Sequence, residues 1–98
     1  MDSRQLIAVG RRLQEARKHR GLSAEALAQL VESYTPEQIR QFEEGAREMG
    51  LEAFMQFCYA LKVDMDWLMF GISAKARYGF DSRFATYSGE EDSKPGGQ

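Results

Sequence analysis

The sequence predicts an all-α protein: five short helices in one domain over residues 1–72, then a short C-terminal extension. Three observations predict it. Apolar residues recur at three- and four-residue steps through most of residues 3–70. Helix starters and stoppers punctuate those runs, with Ser23, Thr35-Pro36 and Asp64 at starts and Gly21, Gly45 and Gly71 at ends. Between the second and third runs lies only Glu32-Ser33-Tyr34, too short a link for two helices to lie side by side as a long hairpin.

The first helix spans residues 3–19. Leu6, Val9, Gly10, Leu13, Ala16 and Arg17 share its inner face. Its last turn, Lys18-His19-Arg20, suits the negative end of the helix dipole, and Gly21 stops it before Leu22 tucks under. His19 reads as a solvated residue at a helix end. The second helix starts at Ser23 and turns Leu27, Ala28 and Val31 inward. The third starts at Thr35, with Pro36 suited to the first helical position and Gln38 completing a capping box. Its inner face is Ile39 and Phe42, and Gly45 ends it. Two helices crossing steeply over so short a link form a helix-turn-helix, whose second helix can enter the DNA major groove. After the linker 46–50, a fourth helix over 51–61 places Leu51, Phe54, Phe57, Cys58 and Leu61 on one face. Asp64 caps a fifth, Asp66 sits in its first turn, and Trp67, Leu68 and Phe70 close the core.

Composition narrows the function. The 98 residues are 43% apolar and 29% charged, ordinary for a globular domain. A single cysteine excludes an internal disulfide and fits a cytoplasmic setting. No apolar run approaches the ~20 residues of a membrane span, the N-terminal stretch has no apolar core of signal-peptide length, and there is no internal repeat. Catalysis lacks its requirements: there is one histidine, one cysteine flanked by Phe57 and Tyr59, no phosphate-cradling glycine loop and no metal-ligand cluster. The expectation is no enzyme, no cofactor and no metal. Charge is uneven. Residues 1–20 hold Arg4, Arg11, Arg12, Arg17, Lys18 and Arg20 against Asp2 and Glu15, whereas residues 21–72 hold nine acids against three bases. A DNA binder usually shows a basic footprint; here the basic part is the first helix and the centre is acidic.

Residues 9–71 resemble the lambda-repressor-like, Xre-type helix-turn-helix family. The resemblance rests on VGRRLQEARKHRGLSAEALAQLV, IRQFEEGAR and LEAFMQFCYALKVDMDWLMFG, the last being the most specific. It implies a five-helix bundle that binds operator DNA as a homodimer. It implies core roles for Leu13, Leu27, Ala28, Ile39 and Leu61, and a structural ion pair between Arg17 and Glu43. The chain departs from the family pattern in three places. Glu32 stands where the turn usually has glycine, in a turn one residue longer. Ala24 replaces a polar phosphate contact. Ala46 replaces a lysine, although Arg47 follows it.

The outer face of residues 35–44 supplies the candidate site. Gln38 and Gln41 can read adenine edges and Glu37 can accept from cytosine. Candidates for the DNA backbone are Ser23, Ser33, Tyr34, Thr35, Arg40 and Arg47. A solvated acidic face is the competing reading. In the extension 73–87, Tyr78, Phe80, Phe84 and Tyr87 are dimer candidates, packing back onto the bundle being the alternative; their spacing fits either a strand or a helical turn. Residues 88–98, polar throughout, are expected to be disordered. The function expected is a sequence-specific transcriptional regulator, a repressor of double-stranded DNA promoters. The alternative is a protein-interaction module, anti-repressor or antitoxin-like, that binds a protein partner through the acidic third helix.

Overall fold

In the computed structural model, which describes residues 2–79 and 87–89, every helix but one begins on a side chain that closes its first turn. Asp2 and Gln5 form a capping box at the start of α1 (Ser3–His19). The Ser23 hydroxyl accepts from the Ala26 amide before α2 (Ala24–Val31). Thr35 and Gln38 form a second capping box, with Pro36 at the first position of α3 (Pro36–Glu43). Asp64 accepts from the Trp67 amide at α5 (Met65–Phe70), and Ser73 from the Ala76 amide at α6 (Ala74–Tyr78). Only α4 (Leu51–Leu61) starts without such a bond, after Gly50. None of these helices is long and apolar enough to cross a membrane. α2 ends on Glu32 at φ 60°, a left-handed residue where glycine would be unstrained.

The first five helices form an all-α bundle. α1 lies chiefly against α3 and also touches α4 and α5, while α2 bridges α3 and α4. Val9, Leu13 and Ala16 of α1 meet Leu27, Ile39, Phe42, Phe57, Leu61 and Leu68 in one buried cluster, with Ala28 and Val31 at its margin. Three rings lock the turn onto this core: Tyr34 meets Phe42 edge-on at 5.3 Å, and Phe57 lies 5.8 Å from Tyr34 and 5.6 Å from Phe42.

Two core expectations are corrected. Leu51 is 73% exposed. It shares an outward stripe with Met55 and Tyr59, four and eight residues on, while Ala53, Phe54, Phe57, Cys58 and Leu61 face inward. Phe70 is 56% exposed. In so short a helix Trp67 and Leu68 set the buried side, and Phe70, two residues past Leu68, falls on the far flank. There the Arg77 guanidinium lies 4.7 Å from its ring centroid.

The start of the extension is helical, which makes α6 a sixth helix. Tyr87 takes the inward option. Its backbone forms a parallel bridge with Val63, its ring stacks on His19 at 4.0 Å and meets Trp67 edge-on at 5.3 Å, and its hydroxyl donates to Glu15. At 4% exposure it belongs to its own core, and His19, read as merely solvated, is its stacking partner. Phe80, Phe84 and residues 90–98, including most of the stretch expected to be disordered, lie outside the described residues.

One contact sets how closely α1 and α3 approach. A Cβ added to Gly10 would lie 2.3 Å from the Phe42 carbonyl oxygen and 2.6 Å from that of Glu43. These are backbone atoms at the end of α3 and cannot swing aside. Gly10→Ala must therefore push the helices apart. The expected cost is ~2 kcal/mol or more, a fall in thermal midpoint of about 10 °C in a domain of this size. An unchanged midpoint in a thermal melt would show that the two helices are not packed this tightly.

Candidate nucleic-acid interface

α3 has two chemically different sides. Ile39, Phe42 and the Glu43 carboxylate point inward. Glu37, Arg40 and Glu44 are exposed, with Gln38 and Gln41 half-exposed between them. What faces solvent is thus set by what anchors the back of the helix.

That anchor is ionic. Arg17 Nε donates to Glu43 Oε2 at 2.6 Å and Arg17 Nη2 to Glu43 Oε1 at 3.0 Å, a two-pronged pair. The side chains are 12% and 3% exposed. Gln14 Nε2 adds a bond to Glu43 Oε1 at 3.3 Å, and Arg17 Nη1 donates to the Leu22 carbonyl at 2.8 Å. The hydrogen bond to Glu43 raises the Arg17 pKa, outweighing the desolvation that opposes it.

Part of the basic character of α1 and its cap is committed to the fold. Arg12 donates through Nε to the Leu68 carbonyl at 2.8 Å and through Nη2 to that of Met69 at 2.9 Å, near the end of α5. Burial lowers its pKa, with Glu15 opposing. Arg20 does the same for α4, reaching the Leu61 carbonyl at 2.7 Å and the Lys62 carbonyl at 3.3 Å. Sequence reading missed both roles. The signal was there: Arg12 lies three residues after Val9 and Arg20 four after Ala16, along the buried stripe. Arg4, Arg11 and Lys18 remain as exposed cations of this helix.

The candidate residues divide by what they already hold. Gln38 Oε1 accepts from the Thr35 amide at 3.0 Å, so its amide nitrogen is the part left to donate outward. The hydroxyls of Thr35 and Ser23 accept backbone amides at 3.1 Å and 3.0 Å and keep their protons for an acceptor such as phosphate. Tyr34 is engaged by its ring in the aromatic lock. Ser33 is exposed at the turn. Arg47 sits 5.6 Å from the Phe42 ring centroid, fixed beside the end of α3. Arg40 is tied to Glu25 of α2 by an ion pair that the sequence did not suggest. Gln41, one turn after Glu37, lies between Arg40 and the buried Phe42. Of the dimer candidates within the described residues, Tyr78 is 54% exposed and Tyr87 is buried.

Burial pushes the Cys58 thiol up to about 12, with Asp64 adding to it, so the sulfur stays protonated at neutral pH. Among the described residues no cluster of His, Cys, Asp and Glu could hold a metal ion.

The sequence model of the helix-turn-helix domain family matches residues 8–67. No curated protein matches the chain significantly. Among solved structures, the restriction-modification controller protein C.AhdI from Aeromonas hydrophila is 32% identical over 64% of this chain and 94% of its own, with a TM-score of 0.60. The DNA-binding domain of BldD is 18% identical over 70% of this chain and 99% of its own, with a TM-score of 0.65. FeII HppE in complex with substrate is 23% identical over 65% of this chain but only 37% of its own, with a TM-score of 0.60. The last two likenesses are of fold alone.

Removing one partner of a pair as enclosed as Arg17–Glu43 strands the other. Arg17→Met should cost ~3–5 kcal/mol and lower the thermal midpoint by more than about 10 °C. Replacing both residues by apolar ones of similar volume should recover most of that loss. A midpoint unmoved in the single variant would show that the pair does not hold the helices together.

Proposed function

The chain belongs to the lambda-repressor-like helix-turn-helix family, and on that premise we propose that it is a cytoplasmic DNA-binding transcription regulator that represses by occupying a two-fold operator as a homodimer. The observation that carries this reading is the division of α3: one side is pinned to α1 through Glu43, and the other presents Glu37, Arg40, Gln41 and Glu44 to solvent. A helix so held is a rigid reading head. Gln41 is the proposed base reader, with Glu37 and the Gln38 amide nitrogen beside it. Ser23, Thr35 and Ser33 supply hydroxyl contacts to phosphate, Arg47 and Arg40 supply charge, and Tyr34 acts chiefly by holding the turn.

One observation favours a second reading. Glu37 and Glu44 stay exposed on this face, while Arg12 and Arg17 of α1 and its C-cap Arg20 are committed to the fold. An acidic helix face of this kind suits a basic protein partner, which is the proposal to keep if duplex DNA is not bound.

The homodimer surface we propose is the α5–α6 flank, where Phe70, Ile72 and Tyr78 are exposed together in sequence. Operators read by such domains are two-fold, so the protein should be as well. A Tyr78→Glu, Phe70→Glu double variant should run as a folded monomer in light scattering where the wild type is a dimer; a dimer unaffected by both changes would move the interface elsewhere.

On a specific duplex, Gln41→Ala should weaken binding by ~1–3 kcal/mol and relax preference at one base position. Arg47→Ala should weaken all sequences alike and flatten the salt dependence. Glu37→Gln and Glu44→Gln should raise affinity for random duplex. If the wild type retains no duplex at the lowest salt, and Glu37→Gln with Glu44→Gln instead abolishes capture of a protein partner, the interaction-module reading replaces the regulator.

A further inference from the structure

α3 carries one guanidinium, that of Arg40, and a carboxylate from the neighbouring helix already holds it. Glu25 lies in the first turn of α2 and its Oε2 accepts from Arg40 Nη2. Both side chains are open to solvent, Glu25 at 60% and Arg40 at 45%. This is not a folding contact. The core lies beneath it, and α2 and α3 are already joined through Leu27, Ile39 and Phe42. The pair instead sits on the exterior of the helix-turn-helix, across the outer edge between the start of α2 and the outward side of α3.

We infer that Glu25 gates Arg40, withholding the single cation of the reading helix from phosphate until DNA competes for it. The inference rests on the DNA-binding reading and adds to it a residue that sets affinity without itself touching DNA. An exposed ion pair is weak and exchanges easily. A phosphate on the duplex is an equally good partner for a guanidinium. In the free protein Arg40 is neutralised by Glu25; in a complex it transfers to the backbone and leaves an uncovered carboxylate near other phosphates. That residual charge repels the duplex, and the freed carboxylate takes up a cation as the phosphate releases one. Arg40 therefore adds little to the net release of counterions while Glu25 is present. The gate lowers affinity for DNA at large. Base contacts through Gln41 do not pass through it, so the gate lowers specific and random binding alike and leaves their ratio to the base contacts.

The Glu25 carboxyl is held below its ordinary pKa, first by its own backbone amide and then by Arg40. The charged form that clamps Arg40 is thus the form present at neutral pH.

The test is a cycle of Glu25→Gln, Arg40→Gln and the double variant, with Glu44→Gln as a control that removes an equal charge from the exposed side of α3. Affinity for random duplex is measured by fluorescence anisotropy at several salt concentrations. Glu25→Gln should raise affinity about two- to fivefold beyond the control and steepen the slope of log affinity against log salt by about one. Both excesses should vanish in the Arg40→Gln background. Equal effects of Glu25→Gln and the control in both backgrounds would overturn the gate while leaving DNA binding intact. So would weaker binding by Glu25→Gln, which would make Glu25 a residue that presents Arg40. Absence of binding by every variant at the lowest salt overturns the DNA reading, and the gate with it. The clamp itself is read without DNA. In an NMR pH titration the Glu25 carboxyl should titrate higher in Arg40→Gln than in the wild type; an unchanged Glu25 would overturn the pair.

Discussion

The structure depends on how α1 is fastened to the end of α3. Gly10 lets the α1 backbone come against the Phe42 and Glu43 carbonyls, and Arg17 crosses beside it to bind both oxygens of the Glu43 carboxylate. The first is a steric permission and the second an electrostatic requirement. A carboxylate this enclosed is costly unless paired, so it fixes the rotation of α3 about its own axis. Once that rotation is fixed, Ile39 and Phe42 must face the core and residues 37, 40, 41 and 44 must face away. The composition of the outer face is then a free variable, which is how one bundle can serve different targets.

The same economy shapes the charges. Arg12 and Arg20 repeat at α5 and α4 what glycines and caps do elsewhere, supplying donors to carbonyls that a helix end leaves without partners. A basic segment that resembled an electrostatic footprint in the sequence gives half of its cations, Arg12, Arg17 and Arg20, to contacts within the fold. On the proposed DNA-binding reading, the cations offered among the described residues include Arg47 and Arg40 near α3 and the exposed Arg4, Arg11 and Lys18 of α1. With two glutamates on the proposed reading face, such a surface favours modest general affinity and leaves discrimination to base contacts.

Much of this was legible in the residues. The Thr35–Gln38 capping box and the Ser23 and Asp64 caps announce where helices begin, because a short polar side chain before an apolar run has few other uses. The Arg17–Glu43 pair followed from the family resemblance. Other features were not legible, for physical reasons. Leu51 and Phe70 stand at helix ends, where a few apolar residues cannot fix the phase of a stripe. The roles of Arg12 and Arg20 depend on long side chains reaching carbonyls about 40 to 57 positions away in the chain. Tyr87 was legible only as an open choice between a dimer contact and packing onto the bundle, because its partners His19 and Trp67 are distant in the chain. The Glu25–Arg40 pair joins two helices whose crossing no local pattern specifies.

The central claim is that the outward side of α3 is the surface that meets DNA. It is tested most directly by following backbone amide NMR signals of the isotope-labelled protein as duplex DNA is added at low salt. The account predicts that the largest shifts fall on residues 35–41, on the start of α2 near Ser23 and on Arg47, while the outward stripe of Leu51, Met55 and Tyr59 stays still. Shifts concentrated on α4 and α5, or no shifts at any DNA concentration, would contradict it.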